Sequence, residues 1–95
     1  MYAAGIAKMT VTACQQGVNG HSAYWIIWQP FEVSEAAIVS MLGSPDEESS
    51  HDFDGSYTAP SFTTDGGLNI EAQITSHPTL NTTWAVQIDF LSGNY

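Results

Sequence analysis

The residues best placed to do chemistry fall in one polar segment, Pro-Asp-Glu-Glu-Ser-Ser-His-Asp-Phe-Asp-Gly, which holds five of the chain's ten acids: Asp46, Glu47, Glu48, Asp52 and Asp54. Clustered carboxylates can ligate a hard divalent cation, because such ions take oxygen ligands. The spacing is not that of a calcium-binding loop between helices. Aligning Gly55 with the glycine such a loop requires puts Ser50 at the first ligand position and Ser61 where a bidentate Glu belongs. No metal ligand is therefore assigned. The same acids can contact a basic protein, with Phe53 as an aromatic anchor among them, so Asp46, Glu47, Glu48, Asp52, Phe53 and Asp54 are candidate partner-binding residues.

The remaining chemical groups are scattered. His21, His51 and His77 lie in three different expected turns, and their spacing does not bring two onto one helix face as a zinc motif would. Cys14 is the single cysteine, so no internal disulfide framework exists, and a small buried side chain is its expected role. No nucleophile elbow is present, and Asp65-Gly66-Gly67 precedes a strand instead of following one as a phosphate loop does. The chain therefore reads as a non-enzyme without a cofactor.

Charge narrows the partners. One basic residue, Lys8, stands against ten acids, for a formal net charge of -9 over 95 residues. The imbalance comes from missing bases, since charged residues total 12 % against an average near 25 %. Direct binding to a nucleic-acid backbone needs several cations to release counterions, so nucleic acid is not an expected partner. An acidic field favours basic partners or self-repulsion in solution. No apolar run approaches the roughly 18 residues that span a bilayer, and the opening residues lack a basic region followed by a long apolar run. A soluble, cytoplasmic location, in a cell or in a host cell, is expected, with no membrane partner and no signal peptide.

Positioning these groups falls to the stretch 24–42, the densest apolar segment. Tyr24, Ile26 and Trp28 alternate with Trp25 and Ile27, so a strand here is apolar on both faces and calls for cover on both. Pro30 marks an end, an edge or a bulge in the pairing. Ser34 as N-cap, Glu35 in the first turn, and Gly43 with Pro45 as a stop predict a short helix after it. Before it, Ala7, Met9, Val11 and Ala13 alternate with polar residues in a first strand, and Asn19-Gly20 signals a hairpin turn. After it, residues 44–65 read as a long acidic loop with a short strand near Phe62. Two further alternating strands, about Leu68 to Ile74 and Trp84 to Phe90, suggest a second hairpin.

The expected fold is α+β: a single domain over 1–95, with strand-strand-helix-strand-strand order and one short helix packed on a small antiparallel sheet. Phe53, Tyr57 and Phe62 could fold across Trp25 and Ile27; otherwise a second subunit or partner covers these two, which makes Trp25 and Ile27 candidate partner-binding residues as well. The expected function is a protein-interaction or assembly subunit, self-associating or part of a larger complex such as a virus or phage particle. Two alternatives follow from the acids. One is an inhibitor that occupies a basic nucleic-acid-binding surface. The other is a metal-dependent binder or enzyme built on His51, Asp52 and Asp54.

Overall fold

A computed structural model describes residues 3–15, 22–52, 55–78 and 81–94, with the side chains of 92–94 left aside. All of its regular structure is strand: β1 Ala3–Gln15, β2 Ser22–Val33, β3 Val39–Met41, β4 Asp46–Asp52, β5 Ser61–Thr64, β6 Ile70–Gln73 and β7 Thr82–Asn94. The expected α+β class is thus corrected to all-β, because the stretch assigned to a helix forms a turn and a strand.

The helix signals were real but served another purpose. Ser34 N–H donates to the Ile38 carbonyl (3.0 Å), Ala37 N–H donates to the Ser34 carbonyl (3.0 Å), and Ile38 N–H donates to the Ser34 hydroxyl (3.3 Å). Ala37 takes a φ of 61°. This is a three-residue hairpin loop, a tight turn closed by a left-handed residue. It returns the chain so that Val39, Ser40 and Met41 pair with Val33, Glu32 and Phe31. A Ser at an N-cap and a Ser at a hairpin corner satisfy the same kind of local amide. The β-branched Val39 suits the strand better than a helix of about two turns, too short to be stable without a packed face.

The main sheet runs β3-β2-β1-β7, with β4 also paired to β2. β1 is the centre, antiparallel to β2 from Ala3↔Val33 to Cys14↔Ser22 and to β7 from Ala3↔Asn94 to Gln15↔Thr82. The outer side of β2 is shared end to end by β3 and β4. Pro30 sits inside β2 opposite Ile6, and its carbonyl accepts from Leu42 N–H at 2.9 Å. Since a residue's N–H and C=O point to the same side of an antiparallel strand, the missing proline donor faces the join between β3 and β4. The β1 ladder loses nothing. Regularity breaks instead at Ile26 and Ile27, where Glu48 is an extra residue on β4.

The expected second hairpin does not form. β6 pairs with β5 in a separate two-stranded sheet, and β7 returns to β1 across the whole chain. The stretch 44–65 is not one loop, since it contains β4 and β5.

One face of the main sheet is the core. Ala7, Met9, Val11 and Ala13 on β1 are fully buried, with Ala23, Trp25, Ile27 and Phe31 beside them on β2. Tyr57, Phe62, Ala72 and Ile74 from the smaller layer pack on this face, joined by Trp84 and Ile88 of β7. Trp25 stacks with Trp84 (6.2 Å, 21°), and the Tyr57 ring meets both edge-on while His77 lies 4.7 Å from it. Offset and edge-on contacts of this kind add to the simple burial of aromatic area. Buried Gln29 donates to the carbonyl of Pro30 (2.9 Å) and approaches those of Leu42 and Gly43 (both 3.4 Å), tying the join between β3 and β4 to β2. Val39 N–H donates to the Gly67 carbonyl (2.8 Å), which links the two layers.

Candidate interaction face

Strict alternation along β1, β2 and β7 sends every second side chain to the face opposite the core. Ile6, Lys8, Thr10 and Thr12 stand there on β1, beside Tyr24, Ile26, Trp28 and Pro30 on β2 and Gln87, Asp89 and Leu91 on β7. The smaller layer packs on the other side, so among the described residues no second layer covers this one. Tyr24 and Ile6 are 40 % exposed and Leu91 is 75 % exposed. Ile26 and Trp28 are half-buried by their neighbours alone.

The polar groups of this face are arranged in register. Lys8 lies opposite Trp28 on one side and Asp89 on the other, and its ammonium is 5.0 Å from the indole centroid. The Tyr24 and His51 rings stack at 6.4 Å across β2 and β4. Gln87 donates through its side-chain amide to the Asp89 carboxylate at 3.2 Å. The result is a surface with an aromatic and aliphatic centre, one cation, and carboxylates along its rim.

The acidic segment divides into two kinds of residue. Asp46, Glu47 and Glu48 are exposed on β4, at the outer edge of the sheet. Asp52 turns inward instead, its carboxylate accepting from the amides of Gly55 and Tyr57, both at 2.9 Å. It therefore ties the backbone of Gly55 and Tyr57 to the end of β4, beside the place where Tyr57 enters the core. Phe53 and Asp54 lie outside the described residues, as do His21 and the Asn19-Gly20 turn.

The other sequence candidates separate in space. Trp25 and Ile27 are buried, at 4 % and 5 % exposure, beneath the layer that carries Tyr57 and Phe62. His51 belongs to the open face and His77 to the core, so these two do not converge. Cys14, expected to be buried, is exposed near the end of β1. Among the described residues, no three of His, Cys, Asp and Glu form a set that could hold a metal ion.

Distant apolar stripes also meet in a groove that no single stretch of the chain encodes. Phe31, Val33, Val39, Leu68, Ile70 and Phe90 line a groove of about 360 Å³ at the end of the core face remote from Trp84. Each residue belongs to an ordinary apolar stripe, and only the pairing of β3 and the placing of the smaller layer bring them together. The turn beside the groove is built on Asp65, which accepts from the Gly67 amide (2.8 Å) and the Asn69 side chain (2.6 Å). The Asn69 side chain, and then the Gly67 amide, hold the Asp65 carboxyl below its ordinary range.

No protein-family model matches the chain, and neither a curated protein nor a solved structure is detectably similar to it. Among the described residues, no helix is long and apolar enough to cross a membrane.

Proposed function

We propose that this protein is a non-enzymatic assembly subunit, and that the open face of its main sheet docks on a protein surface, either another copy or a component of a larger complex. The observation carrying this reading is the one-sided cover of β2. A strand apolar on both faces is packed on the Trp25 side, while on the Tyr24, Ile26 and Trp28 side no second layer among the described residues covers it, leaving Tyr24 exposed and Ile26 and Trp28 half-buried. Apolar surface rimmed by polar residues is the kind that marks interaction sites. Tyr and Trp are also the side chains that recur at the energetic centres of interfaces.

The charge distribution favours a protein partner over a nucleic-acid backbone. Lys8 is the sole basic residue, and the acids sit at the rim. A polar rim around an apolar centre is the usual anatomy of a protein interface. Because the Asp52 carboxylate is occupied by the Gly55 and Tyr57 amides, the inhibitor that imitates phosphates is left with only Asp46, Glu47 and Glu48 as a described run, and it is not the favoured reading.

Light scattering behind size exclusion, at low and at high salt, tests the proposal. An oligomer that persists in high salt and is lost in Ile26→Lys with folding intact is the expected result. A folded monomer at both salts, with no exposed-patch dye binding that Ile26→Lys removes, overturns it.

A further inference from the structure

The two edges of the main sheet are built differently. One edge, made by β3 and β4, is broken at 42–45, carries a bulge at Glu48, and presents Asp46, Glu47 and Glu48 in sequence. Short strands, bulges and charges are the devices that keep sheet edges from pairing. The other edge is β7, 13 residues long, with no proline or bulge and with Asp89 as its single charged residue. Among the described residues, no strand pairs with its outer side. Three of the large apolar side chains exposed to solvent also lie on it: Val86 at 44 %, Phe90 at 55 % and Leu91 at 75 %.

We infer that β7 pairs antiparallel with β7 of a second copy, about a two-fold axis through Ile88, joining two main sheets into one. The inference rests on the proposed role as an assembly subunit and names the contact that makes the repeating unit. The choice of axis follows from the sequence of the strand. In an antiparallel pair the residues opposite each other share a face, so the two-fold must pass through a residue. Ile88 is the midpoint of Thr82–Asn94 and therefore uses the full strand.

That register also matches the side chains. Phe90 of each copy falls opposite Val86 of the other, and aromatic with β-branched residues are favourable cross-strand pairs. Asp89 falls opposite Gln87, repeating between copies the amide-to-carboxylate bond of 3.2 Å already present within one. An axis through Asp89 would instead set two carboxylates against each other. For a chain of net charge -9, β7 is the side of the sheet where two copies approach with the fewest acids. The contact is the same patch on both partners, so it closes as a dimer and does not propagate.

Charge substitutions at Gln87 test the register. Gln87→Glu places a like charge opposite Asp89 twice per interface, and the dimer dissociation constant measured by analytical ultracentrifugation is expected to rise about tenfold or more, less so at high salt. Gln87→Lys places an opposite charge there, and the dimer is expected to tighten. Should Gln87→Glu fail to fold, Ile88→Cys in a Cys14→Ser background reads the axis directly, since residues paired across an antiparallel ladder lie about 4.5–5.5 Å apart at Cα, within disulfide reach. Rapid formation of a covalent dimer under mild oxidation is expected. Ile88 points to the core face, so this readout does not respond to stacking through the open face.

An oligomer that responds to Ile26→Lys but to neither Gln87 substitution, and gives no Ile88→Cys cross-link, overturns the edge contact and leaves the assembly role standing. A dimer that responds to Gln87 and is indifferent to Ile26→Lys supports the edge contact while removing the open face from self-association. A wild-type monomer at high concentration overturns the edge contact outright.

Discussion

Lys8 and Trp28 stand opposite each other in the register of β1 and β2, and the ammonium lies 5.0 Å from the centroid of the indole ring. The only basic side chain of the protein is thus placed on the open face, over an aromatic and directly across from Asp89. A cation over an aromatic face at a solvent-exposed site contributes about 0.5–1 kcal/mol. A double-mutant cycle with Lys8→Met and Trp28→Leu should return a coupling energy in that range by urea denaturation. Strict additivity would mean that the pair is placed by the sheet without attracting.

Tyr57 joins three aromatic rings and places its hydroxyl 3.2 Å from the Thr82 hydroxyl. Tyr57→Phe keeps the rings and should cost about 0.5–1.5 kcal/mol, the net value of one hydrogen bond. Tyr57→Ala should cost about 3–5 kcal/mol, as for other large aromatic truncations in cores, with loss of the near-ultraviolet circular dichroism of Trp25 and Trp84. Equal costs for the two variants would remove the ring packing from the account.

The acids differ in what they do for the fold. Asp52→Ala leaves the Gly55 and Tyr57 amides without their acceptor and should cost about 1.5–3 kcal/mol, the range for bonds to a charged group. Simultaneous Asp46→Asn, Glu47→Gln and Glu48→Gln removes charges that are exposed on an edge strand, and thermal stability should hold or rise. A fold that tolerates the first change and fails on the second would reverse the assignment.

Ala37 holds a left-handed backbone, φ 61°, at the corner joining β2 to β3. A side chain in that region costs roughly 1–2 kcal/mol, partly offset in a glycine variant by the greater freedom of its unfolded chain. Ala37→Gly should stabilise by about 0.5–1 kcal/mol. Destabilisation by the same amount would show that residues 34–38 adopt another conformation in solution.

Asp65 has a folded-state pKa below its unfolded value, because its carboxylate accepts bonds from Asn69 and Gly67. Its contribution is therefore complete above the ordinary carboxylate range and is lost as pH falls through the lowered folded value. Carbon-13 titration of the Asp65 carboxyl should give a midpoint below that of a free aspartate, and the Gly67 amide should shift with the same midpoint. Asp65→Asn should abolish the coupled amide shift.

The parts of this fold that could be read from residues are those held by local pattern. The alternation of Ala7, Met9, Val11 and Ala13 identified β1 and its buried face, and the double apolar character of 24–28 identified β2 and posed the question of what covers it. Tyr57 and Phe62 answer for one side, as their types allowed. The segment Ser34 to Leu42 misled because its capping serine, its acid and its following glycine serve a hairpin corner as well as a helix. Only the pairing of Val39 with Val33 decides between them. β4 was invisible for another reason. Asp-Glu-Glu-Ser-Ser-His-Asp has no apolar stripe, and it is a strand because the edge of β2 lends it hydrogen bonds. The partnership of β1 with β7 is set by contacts between distant stretches, which no local spacing records.

That last partnership bears on how the protein is made. Ala3 pairs with Asn94, and the ladder between β1 and β7 closes at Gln15 with Thr82, so β1 meets one of its two neighbours only after residues 82–94 have been translated. Contacts this remote in sequence slow folding, since loop closure precedes any gain. Until then β1, paired with β2 alone, leaves unpaired the edge that carries Met9 and Val11. An unpaired strand edge of that kind is open to a chaperone or to a neighbouring nascent chain until β7 takes its place.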